Sequence, residues 1–190
     1  EHIDITSFDS RKIIESMKKM SFTSRDTANA SEIYNEMLKD KNWYQINNVE
    51  DIISPSLVVF PKRIEANIKL MIQIAGGTDS LRPHIKTHKI AEIINMQLNH
   101  GITKFKCATI AEAELLAKCG AQDILLAMQP IGVNIERFFE LIEQYPNSSL
   151  STIVDNEESI IKINSAALKK ELVILLLTEY RYWSNRYGRK

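Results

Sequence analysis

The stretch Arg82-Pro83-His84-Ile85-Lys86-Thr87-His88-Lys89 gathers five basic or imidazole side chains into eight residues. Read as a strand from Leu81 to Lys86, it alternates side chains between two faces, so Arg82, His84 and Lys86 point the same way. Three such groups on one face repel one another unless something anionic sits before them. A lysine crowded by cations also gives up its proton more easily than its reference pKa of about 10.4 implies. That is the state in which a lysine attacks a carbonyl carbon, with a phosphate nearby to balance the charge. Arg82 reads either as an anion holder or as the partner of a carboxylate on a neighbouring strand. His84 and His88 are four apart, which on a helix would put both on one face, as in a zinc site. Here they straddle a strand-to-helix junction without an accompanying Glu, so no metal is assigned to them.

The elements that must position this stretch follow a regular alternation from Ser56 onward. Apolar runs at Leu57–Phe60, Leu81–Lys86, Phe105–Ala108, Ile124–Ala127 and Leu150–Val154 read as buried parallel strands. Helical periodicity lies between them, at Arg63–Ala75, Ile90–Leu98, Ile110–Lys118, Ile135–Tyr145 and Glu157–Ala167. Thr109 with Glu112, and Asp155 with Glu158, are spaced like capping boxes, and Asn134 fits a helix cap. Gly76 and Gly120 stand where helices should stop. Repeated βα units imply a parallel sheet covered by helices. No Gly-x-Gly-x-x-Gly follows the first strand, which argues against a dinucleotide-binding domain. At strand ends, Gln129 follows the fourth run, and Asp155 follows the fifth as a helix cap rather than an acid. Cys107 is placed in the core.

Residues 1–43 differ from the rest. They contain no Pro or Gly and carry two helical patterns, Ile13-Ile14-Met17-Met20 and Ile33-Tyr34-Met37-Leu38, which read as an amphipathic helical extension. Of 190 residues, 24 are Lys or Arg and 24 are Asp or Glu, so the net charge is zero and nothing favours nucleic acid or an anionic membrane surface. The two cysteines, Cys107 and Cys119, fit no zinc or redox spacing. The longest apolar run, Leu172–Leu177, is too short to span a bilayer, and no signal peptide is visible, so a cytoplasmic location is expected.

The octapeptide resembles the pyridoxal-phosphate lysine motif of the D-threonine aldolase and D-serine dehydratase family, fold-type III enzymes with an alanine-racemase-like N-terminal barrel. Trp43–Asn48, Ser54–Val59, Arg63–Ile68, Ile102–Glu114, Ile124–Pro130 and Val154–Asn156 resemble further pieces of the same family in the same order. The resemblance implies an α/β fold, a partial (β/α)8 TIM-type barrel of five to six βα units, at residues 44–172, after the helical extension at 1–43. Its site lies at the C-terminal strand ends. It implies pyridoxal 5′-phosphate as cofactor on Lys86. His84, Arg82 and Gln129 would lie about the cofactor, and His88 would serve near the substrate or cap the helix. The substrate would be a β-hydroxy-D-amino acid, cleaved to glycine and an aldehyde or dehydrated at the β-carbon. The resemblance also implies a divalent metal held by a C-terminal domain, and a homodimer.

Residues 173–190 leave the family pattern, which calls for a Gly-rich segment with an Arg after the sixth strand. Back-translated and read one nucleotide later, Thr178 to Arg189 can yield Asn-Ile-Gly-Ile-Gly-Arg-Ile-Gly-Met-Gly. The expectation is therefore a frameshifted tail on a truncated barrel, since such a barrel takes about 250 residues. Two functions remain open: a pyridoxal-phosphate lyase, or racemase-like barrel, of which this is the N-terminal part, and a catalytically inactive fragment.

Overall fold

The computed structural model describes residues 42–178 together with Glu32, Asn35 and Lys39. The helical extension expected over 1–43 thus lies almost wholly outside the described residues, as do residues 179–190 of the tail expected over 173–190. The chain divides into two compact units between Ser80 and Leu81.

In the first unit, helix α1 (Pro61–Ile74) opens on Pro61, whose fixed φ suits the first turn and whose missing N–H would have no helical partner there. It stops before Gly76, which adopts φ +72°. Trp43 stands edge-on to Phe60 at 5.0 Å, and the Arg63 guanidinium lies 4.8 Å from the Trp43 ring centre. The strand expected at Leu57–Phe60 does not form. The segment belongs to no ladder among the described residues, and Leu57 is 77% exposed.

The second unit holds a parallel sheet of four strands, β1 (Lys104–Cys107), β2 (Asp123–Leu126), β3 (Ser149–Val154) and β4 (Leu175–Thr178), in sequential order. Its helices are α2 (Ala91–Asn99), α3 (Ile110–Lys118), α4 (Val133–Gln144) and α5 (Glu157–Lys169). Right-handed crossovers that always advance to the next strand put every connecting helix on one face of the sheet. An order without reversal is therefore an arc of a (β/α) barrel, not a doubly wound sheet. Burial agrees with this. Phe105, Cys107, Ile124, Leu126, Leu150 and Val154 are buried on the helix-covered side. Val154 packs with Ile135 and Phe139 of α4 and Ile163 and Ala167 of α5. The alternate positions, Lys104 and Lys106 in β1 or Leu175 and Leu177 in β4, face the side a closed barrel would enclose, and Leu175 is 64% exposed.

Local signals explain the boundaries. Thr109 Oγ1 accepts from the Glu112 N–H at 3.2 Å and starts α3 where the capping box placed it. The other two caps are corrected. Asn156, not Asp155, caps α5, accepting from the Ser159 N–H at 2.9 Å. Helix α4 begins one residue before Asn134, at a Gly132 N-cap with φ +55°, and Asn134 accepts from Arg137 instead.

Leu81–Lys86 is the second expected strand that fails to form. It makes one parallel bridge, His84 to Lys106, and the Pro83 carbonyl accepts from the Lys106 N–H at 2.9 Å. Pro83 has no N–H to extend the ladder, and after His84 the chain coils into a 3-10 turn at Ile85–Thr87.

Candidate functional site

Lys86 sits inside that 3-10 turn, beyond the point where the segment leaves β1. Ile85, wholly buried, pins the turn to the core, while Lys86 and Thr87 are exposed. The turn is closed by main-chain bonds from His88 and Lys89 to the Ile85 carbonyl, at 3.1 and 2.9 Å. Among the described residues no carboxylate pairs with the Lys86 amine. Because the bridge ties His84 to Lys106 and β1 ends at Cys107, Lys86 stands at the C-terminal edge of the sheet. Barrel enzymes build their sites at that edge.

Both histidines hold the backbone around Lys86. His84 Nδ1 accepts from the Lys86 N–H at 3.2 Å, and His88 Nδ1 accepts from the Ile90 N–H at 3.1 Å, just ahead of α2. An imidazole nitrogen that accepts carries no proton, so each ring is neutral with its hydrogen on Nε2, free to donate. Electrostatics favour the same state. Burial first, then the Lys86 and Lys106 charges, holds His84 below the ordinary histidine range, against a smaller opposing pull from Glu112. Burial lowers His88 as well.

The sign of the pH dependence follows. Below about pH 6.5 an unfolded chain protonates these rings more readily than the folded one. Their contribution to stability is complete above the unfolded value and declines as pH falls through 6.5 toward the lowered folded values. Thermal unfolding of the protein should therefore lose midpoint over that descent, and His84→Gln should flatten the loss relative to the unmodified chain.

Arg82 takes the structural role of the two open to it. Its Nη1 and Nη2 donate to the two Asp123 carboxylate oxygens at 2.7 and 2.6 Å, a bidentate pair across β1. Asp123 is the first residue of β2, so Arg82 is held at the N-terminal end of the strands, opposite to Lys86. The expected common face of Arg82, His84 and Lys86 fails for this reason, and because the backbone turns at Ile85. Gln129 does stand at the C-terminal edge. Its Oε1 accepts from the Asp155 N–H at 2.9 Å and ties the loops after β2 and β3 together. Cys107 is buried as expected, and burial, followed by the Glu112 charge, pushes its thiol up to about 12. Two participants went unnoticed in the sequence: Asp123 as the partner of Arg82, and Glu112 as more than a capping residue.

These features fit a cofactor attached through an aldehyde carbon. The lysine amine is exposed and, among the described residues, unpaired by acids, its backbone is fixed by a buried Ile and two imidazoles, and two ring N–H groups are available to donate. Among the described residues no cluster of three His, Cys, Asp or Glu side chains converges, and no helix is long and apolar enough to cross a membrane.

Known proteins share the fold and the sequence. A D-threonine aldolase from Arthrobacter sp is 31% identical over 137 residues, which is 71% of this chain and 35% of the aldolase. The crystal structure of D-threonine aldolase from Filomicrobium marinum superimposes with a TM-score of 0.61 at 24% identity, over 68% of this chain and 35% of that one. A different relative, a deoxyhypusine synthase-like protein from Caulobacter vibrioides, is 66% identical over 41 residues, or 22% of this chain and 11% of its own length. The chain thus spans about a third of the aldolases it matches. Residues 60–187 match the alanine racemase N-terminal domain, and with the aldolase similarity this shows that the chain belongs to that fold-type III pyridoxal-phosphate family.

Proposed function

We propose that Lys86 is the covalent attachment point of pyridoxal 5′-phosphate, and that the protein is built for lyase chemistry on β-hydroxy-D-amino acids. The observation that carries this reading is the exposed Lys86 amine, fixed in a turn at the C-terminal sheet edge of a family barrel. The cofactor, when bound, supplies an electron sink for charge developing at the substrate α-carbon. The chain's own residues do the rest. Lys86 presents its amine, and His84 fixes the Lys86 backbone while donating from Nε2. His88 fixes the start of α2 and keeps its Nε2–H for the substrate side. Gln129 braces the loops that border the site, and Arg82 ties the segment ahead of it to Asp123. The D-amino-acid substrate is drawn from the similarity to D-threonine aldolases, whose names state that activity. Trapping tests the reading: borohydride reduction of the full chain with pyridoxal phosphate should leave the cofactor on Lys86 and on no other lysine.

A second reading concerns residues 1–43 only. The match to deoxyhypusine synthase-like proteins covers 41 residues, and the Gly- and Pro-free stretch ahead of Trp43 is of that length and of different composition. We assign the match to this stretch, as a segment of separate origin from the barrel. A chain beginning at residue 42 should then trap the cofactor on Lys86 in undiminished yield, and loss of trapping would contradict the assignment.

A further inference from the structure

Lys89 occupies the left-handed region at φ +54°, where a side chain is strained and glycine is the usual occupant. Its N–H closes the Lys86 turn on the Ile85 carbonyl at 2.9 Å. Its ammonium reaches Glu112 Oε1 at 3.2 Å, although the lysine side chain is itself 60% exposed. The partner is unusual for a helix residue. Glu112 lies in the first turn of α3, yet its side chain is only 5% exposed, and its Oε2 accepts from the Ala108 N–H at 2.8 Å, just past the end of β1. In a simple capping box that carboxylate would reach the cap residue's own N–H, at Thr109. Here it reaches one residue further back and outward to the Lys86 turn.

We propose that Glu112 and Lys89 form a clasp that fixes the Lys86 turn to the end of β1, making Glu112 a positioning residue for Lys86. The inference rests on the reading of Lys86 as the attachment point, and it explains two otherwise separate oddities. A strained lysine stands where glycine would be easier because only a long cationic side chain reaches the acid. A carboxylate is buried because it has a main-chain N–H on one oxygen and an ammonium on the other, which satisfies both. Burial works to raise its pKa, but the bond from Ala108, then the Lys89 bond and charge, outweigh it and hold the carboxyl below its ordinary range. The Glu112 charge also reaches His84, which caps the other end of the same turn.

The test uses the full chain and two substitutions that separate a clasp from a packing role. Glu112→Gln keeps the volume and an oxygen for Ala108 but removes the charge. Lys89→Gly relieves the left-handed strain and removes the cation, so on backbone grounds it should not lower the unfolding midpoint. Hydrogen exchange at the Lys86 amide should accelerate by about tenfold or more in both variants, and at the Lys89 amide in Glu112→Gln, and borohydride-trapped pyridoxal phosphate on Lys86 should fall in parallel. Lys89→Arg, which restores the cation, should return both toward the starting values. Unchanged exchange in Glu112→Gln and Lys89→Gly would overturn the clasp. Failure of the unsubstituted chain to trap the cofactor, with exchange responding as expected, would overturn the attachment reading and leave the clasp standing.

Discussion

Replacing Lys86 by Ala should abolish covalent attachment of pyridoxal phosphate altogether and leave the fold intact. Lys86 is exposed in a short turn, so truncating it removes no buried surface and stability should change by no more than about 0.5 kcal/mol. The effect on attachment is total because no neighbouring lysine among the described residues is placed to take over. The Lys89 amine is engaged by Glu112, and Lys106 lies back along β1, level with His84. Lys86→Arg is the sharper form of the same experiment. It keeps the positive charge beside His84 but offers a guanidinium that stays protonated and cannot condense with an aldehyde. Both variants should lose the protein-bound cofactor absorbance, while His84→Gln should weaken it without removing it.

Phe139→Ala should be the most damaging single change to the second unit. Phe139 has no exposed surface and lies 6.2 Å, edge to face, from the equally buried Phe138. It fills the space between α4, α5 and β3 with Ile135, Val154, Ile163 and Ala167. Removing a buried phenyl group leaves a cavity that the surrounding helices close only in part, at a cost of about 3–5 kcal/mol. Against a total stability of about 5–15 kcal/mol for a domain, that is a large fraction. Urea unfolding should show a lower midpoint with an unchanged slope. Ile161→Ala on the same helix α5, at a residue 57% exposed, should shift the midpoint little and serves as the control.

Much of the βα alternation was legible because helix periodicity and start signals are local. Helix α3 was read at its observed bounds, since Thr109 supplies a cap and Gly120, at φ +87°, supplies the stop. Strands were legible where neighbouring strands exist to pair with them. Phe105, Ile124 and Leu150 read as strand residues and are, in register with one another. Leu57–Phe60 has the same apolar composition and is no strand, because a ladder needs a partner and composition does not show one. At the site, the sequence marked Lys86 through its motif, but the assumed strand gave the wrong geometry around it. Pro83 interrupts the ladder, a 3-10 turn replaces the last strand residues, and Arg82 is drawn away by Asp123, 41 residues further along the chain. A pairing at that separation is set by sheet register, which no local pattern encodes. Glu112 illustrates the same limit. Its spacing from Thr109 announced a helix start, while its contact with Lys89 depends on where the preceding loop is folded back.

Peptide mapping after borohydride reduction of the full chain with pyridoxal phosphate tests the central claim most directly. The account predicts a single modified peptide, carrying the cofactor on Lys86 within Arg82–Lys89 and absent from Lys86→Arg. Modification spread over many surface lysines, or a Lys86 peptide left unmodified while others react, would contradict it.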